Sequence, residues 1–132
     1  MALDEEIRDR FVTDTETILE AHLDDLEGMF QFHEDGTLEL VGDYRELKPQ
    51  NRILLYLIAK RYKYEGGLAD TDAVEYSEIY PRFPDKKNST IRGYFMDLRQ
   101  EGFAAKSDKG HILSVERLPE AIDRIESEVS NE

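Results

Sequence analysis

The segment "PQNRILLYLIAKRYKYEGG", Pro49 to Gly67, constrains this chain more than any other. From Ile53 to Ala59 every position is aliphatic or aromatic, so a helix built here is apolar around its whole circumference rather than along one stripe. Such a helix is stable in water only when other elements surround it, and the rest of the chain must be arranged about it. Its ends are legible too. Pro49 suits the first helical position, where its missing N–H costs nothing, and Gly66-Gly67 stops the helix. The apolar run is far too short to span a bilayer, which takes about 20 residues.

The flanks supply the covering elements. Leu3, Ile7 and Phe11 recur at helical spacing, and a capping box, Thr13-x-x-Glu16, restarts the helix. Leu19, Leu23, Leu26 and Phe30 then form one apolar stripe. "MFQFHEDGTLELV" alternates about Asp35-Gly36 and predicts a short hairpin, with Met29–Phe30 assignable either to the helix end or to the strand start. Beyond the central helix, Asp72-x-x-Glu75 predicts a short helix through Val74 and Ile79 that stops before Pro81. Asn88 or Ser89 caps a further helix, buried along Ile91, Phe95 and Leu98 and ended by Gly102. "FAAKSDKGHILSV" predicts a second hairpin with Lys106 and Lys109 at its tip, and Pro119 starts a last helix with Leu118, Ile122, Ile125 and Val129 in line. The expected class is mainly α with small β. Its parts are an acidic helix plus hairpin appendage over 1–47, a central unit over 48–117 and a C-terminal helix over 118–132.

Charge adds a second constraint. The 132 residues carry a formal net charge of −13, yet it is divided unevenly. Residues 1–47 hold 3 basic and 15 acidic side chains, residues 48–117 hold 13 and 10, and residues 118–132 hold 1 and 5. The middle is a basic island between acidic ends. The excess of acid has two readings: high net charge that keeps chains soluble, or a halophilic archaeal cytoplasm, where the Debye length falls to about 3 Å at molar salt. On the second reading the melting temperature falls as potassium chloride is withdrawn, because the carboxylates then repel unscreened. A melting temperature indifferent to salt would remove the halophile reading.

Helix, short helix, turn, helix and two-stranded hairpin follow one another over about residues 48–115. The stretches "RILLYLIAKRY", "VEYSEIYPRF", "STIRGYFMDLRQEGF" and "AAKSDKGHILSV" resemble, in that order, the helices and wing of a winged helix-turn-helix, and of archaeal regulators of that type in particular. The resemblance implies sequence-reading binding of double-stranded DNA, with a recognition helix at about 88–101 in the major groove and a wing at 103–115 on the backbone. With Ile91, Phe95 and Leu98 turned inward, 100° per residue places Ser89, Gly93, Met96 and Gln100 opposite and Arg92 and Arg99 on one flank. Thr90 lies in the same first turn. Arg to guanine and Gln to adenine are the standard base pairings, while Lys86, Lys87, Lys106 and Lys109 would meet phosphates. The alternative is a solvated face whose cations Asp85, Asp97, Glu101 and Asp108 balance. Two readings of Gly93 stand side by side. It lets a DNA backbone approach closely, or it relieves crowding against a neighbouring helix.

Other chemistry has little support. The absence of Cys excludes disulfides and thiolate chemistry. His22, His33 and His111 fall on three different elements, which argues against a metal centre. Asp24-Asp25 and Asp4-Glu5-Glu6 are adjacent acids that a helix points to different sides. No phosphate loop, nucleophile elbow or dinucleotide fingerprint occurs, so neither catalysis nor a cofactor is expected. Tyr56, Tyr62, Tyr64, Tyr76 and Tyr80 read as core-edge residues with hydroxyls reaching water. The N-terminus is acidic where a signal peptide is basic, so a soluble cytoplasmic protein is expected. The terminal stripes allow two arrangements, packing on each other within one chain or pairing in a homodimer that reads two half-sites. The rival to DNA binding is a protein-interaction or DNA-mimic role for the acidic residues 1–47, through Asp24, Asp25, Glu27 and their neighbours.

Overall fold

The computed structural model describes residues 2–11 and 14–130. Among these residues six further α-helices and two small antiparallel hairpins accompany the all-apolar helix, and the described side chains of the first helix are exposed rather than packed on it. In chain order the elements are α1 (Leu3–Phe11), α2 (Thr15–Ala21), α3 (Leu23–Glu27), β1 (Phe30–Phe32) and β2 (Leu38–Leu40), then α4 (Pro49–Glu65), α5 (Tyr76–Ile79) and α6 (Asn88–Gln100), and finally β3 (Ala104–Ser107), β4 (Gly110–Leu113) and α7 (Leu118–Ser130). Mainly helical architecture with small hairpins is therefore as the sequence predicts. No described helix is long and apolar enough to cross a membrane.

α4 is the axis. Ile53, Leu54, Leu55, Leu57 and Ile58 are wholly buried, each worth about 1.5–3 kcal/mol relative to exposure. α6, α7 and β4 pack on it, and the buried side chains form one core running from Leu19 to Ile125. The stripe on α7 is covered inside the chain: Leu118, Ala121, Ile122 and Ile125 are buried. Polar contacts fasten α7 to the start of α4. Glu128 accepts from the Lys48 N–H at 2.8 Å and from the Asn51 amide at 2.7 Å, and Arg124 Nε donates to Asn51 Oδ1 at 2.8 Å.

Several boundaries differ from the sequence reading. Thr13 lies outside the described residues, and the cap seen on α2 is Asp14, whose carboxylate accepts from the Glu16 N–H at 3.1 Å. The stripe from Leu19 to Phe30 is not one helix. The chain breaks at His22, which resets the helical phase, so Leu19 and Leu26 are buried while Leu23 is 52% exposed. Met29 stays in the turn and Phe30 begins β1, paired with Leu40. The hairpin closes through Asp35, whose carboxylate accepts from the Thr37 N–H at 2.9 Å.

The short helix also starts later than Asp72 suggests. Glu75 and Glu78 form a reciprocal capping box for α5, and Val74 is extended. Its N–H donates to the His111 carbonyl at 2.8 Å and its carbonyl accepts from the His111 N–H at 3.0 Å. Two backbone bonds and a buried side chain outweigh what a helical start would provide there. α6 begins one residue before the expected cap: Lys87 is the N-cap, Asn88 is already helical, and no side chain caps it. Its far end follows expectation. Gly102, at φ +86°, donates to the Arg99 carbonyl, and the Phe103 N–H donates to the Leu98 carbonyl, the bond pair of a left-handed helix stop.

Candidate nucleic-acid interface

α6 carries the two faces its periodicity predicts. Ile91, Phe95 and Leu98 are fully buried, whereas Ser89, Thr90, Arg92, Met96, Arg99 and Gln100 are exposed. The helix rises about 20 Å over its length, which separates two basic ends. Lys87 and the half-buried Lys86 lie at the first end. At the second, Met96, Arg99 and Gln100 line a groove with Ala104, Ala105 and Lys106 of β3. Lys109 occupies the two-residue turn beyond, while Lys106 sits in β3 opposite His111 rather than at the tip.

The hairpin is held against the rest of the unit by a close backbone approach. Gly110 has φ +145°, and a Cβ there would lie 2.4 Å from the Val74 carbonyl oxygen. Only glycine lets β4 come near enough to form the Val74–His111 bridge. The His111 ring packs at 4.8 Å from Phe95 and 5.4 Å from Tyr76, and its buried Nε2 has no hydrogen-bond partner among the described residues. Burial, and then the charges of Arg99 and Lys106, lower its pKa below 6.5. The unfolded chain therefore binds a proton more readily than the folded one. The contribution of neutral His111 is complete above pH 6.5 and is lost as pH falls through the lowered folded value, with a limiting slope of about 1.4 kcal/mol per pH unit. Urea midpoints measured at pH 7.5 and 5.5 should fall with pH, and His111→Phe should remove that part of the fall.

Ion pairs engage several half-buried cations outside this surface. Lys60 pairs with Glu78, Arg61 with Glu65 and Asp72, Arg117 with Glu120 and Arg124 with Glu101. Lys86, Lys87, Arg92, Arg99, Lys106 and Lys109 have no carboxylate oxygen within 4.0 Å among the described residues. Glu101, which by sequence could balance them, is turned away towards Arg124 and Gln50. Arg92 is oriented by a neutral partner, donating to the Tyr80 hydroxyl at 3.0 Å. Tyr80 in turn stacks on Tyr76 with centroids 6.0 Å apart.

Tyr80 is a residue the sequence did not single out, because it reads as one of five core-edge tyrosines. Tyr62 departs from that reading in another way. Its hydroxyl donates to the Leu19 carbonyl instead of reaching water, and burial pushes its pKa up to about 12.

Of the two readings of Gly93, relief of crowding does not hold among the described residues. A Cβ at this position would meet nothing within 4 Å, so no neighbouring helix requires the glycine. Gly93→Ala should raise stability by about 1 kcal/mol in urea unfolding. Gly93→Leu should leave the fold intact and lower affinity for any molecule that lies along this face. Among the described residues no three metal-binding side chains converge. No known family model, no curated protein and no solved structure matches this chain.

Proposed function

We propose that this chain is a winged helix-turn-helix protein that reads double-stranded DNA and regulates transcription in a salt-rich archaeal cytoplasm, without catalysing a reaction. α4, α5 and α6 serve as the helices of the motif and the β3–β4 hairpin as its wing. α6 lies in the major groove, with Arg92, Arg99 and Gln100 donating to base edges and Met96 against a thymine methyl. Ser89, Thr90 and the four lysines engage phosphates. The observation that supports this most is the gathering of six cations just before α6, on it and on the hairpin, with no carboxylate oxygen within 4.0 Å among the described residues, whereas the half-buried Lys60, Arg61, Arg117 and Arg124 are each paired. The bare Gly93 on the same face agrees with it. Net acidity does not oppose the reading at high salt, where repulsion beyond about 3 Å is screened.

The test is a titration of random-pool duplex DNA at several potassium chloride concentrations, with retained DNA sequenced. Recovery of a motif, with affinity falling as salt rises, is the expected result. A palindromic motif would indicate a dimer on two half-sites. A second reading keeps its own support. The acidic N-terminal region exposes Leu3, Ile7 and Leu23, apolar anchors within an acidic rim that suit a basic protein partner. Absence of DNA binding at low salt, with the fold intact by circular dichroism, would favour that alternative.

A further inference from the structure

A small, half-open cavity lies where the β1–β2 hairpin meets α4 and α5. Its volume is about 70 Å³, room for roughly five water-sized atoms at 10–15 Å³ each. Its lining combines Phe32 and Leu38 of the hairpin and Ile79 of α5 with the cations Lys60, Lys63 and Arg82 and with one carboxylate, that of Glu78. Three cations around so small a space are unexpected in a chain of net charge −13.

Their partners differ. Lys60 is neutralised by Glu78 at 2.7 Å, and the second oxygen of Glu78 accepts from the Glu75 N–H at 2.8 Å, so that carboxylate is fully engaged. Lys63 and Arg82 have no carboxylate within 4.0 Å among the described residues. Arg82 is held with its guanidinium carbon 4.6 Å from the centroid of the Tyr56 ring, an arrangement that satisfies the face of the cation but leaves its N–H edge available. Lys63 reaches the hairpin turn, where a Cβ on Gly36 would lie 3.7 Å from its Nζ. The lining thus offers two uncompensated donors together with hydrocarbon.

We infer that this cavity binds a short-chain organic carboxylate, its head group held by Lys63 and Arg82 and its hydrocarbon against Phe32, Leu38 and Ile79. The guanidinium edge matches a carboxylate in a two-point contact, and the volume admits about five heavy atoms. This site is separate from α6 and does not depend on the DNA reading.

Three ligands of equal heavy-atom count decide it: propionate, inorganic phosphate and propionamide, titrated by amide NMR into the full chain in a constant potassium chloride background. Propionate should give saturable shifts confined to Phe32, Leu38, Lys60, Lys63, Ile79 and Arg82. Phosphate, lacking the hydrocarbon, and propionamide, lacking the charge, should each bind about tenfold more weakly or not at all. Lys63→Gln and Arg82→Gln should each weaken propionate by about tenfold. The inference is overturned by propionate shifts that do not saturate or that map elsewhere. Equal binding of propionamide or of phosphate overturns it as well. Should either variant fail to fold, the three-ligand comparison on the unaltered chain still decides.

Discussion

If α6 reads duplex DNA as proposed, Arg92→Ala combined with Arg99→Ala should weaken duplex binding by about 1–3 kcal/mol for each base that is no longer read, so by about 30-fold to about 10⁴-fold if both arginines read guanine. Both side chains are exposed and neither is in an ion pair among the described residues, so folding stability should change by no more than about 0.5 kcal/mol. The separation of these two effects is what makes the pair informative. Arg92 adds a finer test, because its bond to the Tyr80 hydroxyl orients the guanidinium in the free protein. Tyr80→Phe should therefore lower affinity by a part of what Arg92→Ala removes. Fluorescence anisotropy on a selected duplex, at two salt concentrations, measures all of these variants. Unchanged affinity in the double variant would take α6 out of the interface.

The second large effect concerns the fold rather than the ligand. Phe95 is fully buried, lies edge-on to Tyr76 at 5.2 Å and packs on His111 at 4.8 Å. It is the side chain through which α6 is joined to both α5 and β4. Phe95→Ala should cost about 3–5 kcal/mol, the forfeited transfer energy together with the cavity left behind. Against a domain stability of about 5–15 kcal/mol, that is enough to move the urea midpoint well outside experimental error. Met96, its neighbour in sequence, is 52% exposed, and Met96→Ala should be close to neutral in the same measurement. A small cost at Phe95 would mean that the hairpin is not anchored through this ring.

Much of the fold is legible in local pattern. The all-apolar Ile53–Ala59, the prolines at helix starts and the glycines at helix ends each act within one or two turns, so their consequences are written in adjacent residues. The outward face of α6 follows in the same way from Ile91, Phe95 and Leu98, which is why Arg92, Met96, Arg99 and Gln100 are found exposed where periodicity predicts. The misplaced boundaries share a different cause. Asp72 and Glu75 are both competent caps, and the choice between them was made by β4, which recruits Val74 into a bridge with His111. Leu23 fits a helical stripe by spacing, and it is exposed because the helix breaks at His22.

The sequence by itself determined the order of elements, the central helix, the division of charge and the identity of the residues on the outer side of α6. Each of these rests on backbone preference or on hydrophobic period, both of which are short-range. Only the tertiary structure decided which cations remain uncompensated. Glu101 could neutralise Arg99 as easily as Arg124 on sequence grounds, yet it faces Arg124 because α7 packs against α4 beside it. It likewise gathered Phe32, Lys63 and Arg82 around one cavity. Pairing and cavity formation depend on which surfaces the packed core brings within a few ångströms, and no local pattern carries that information.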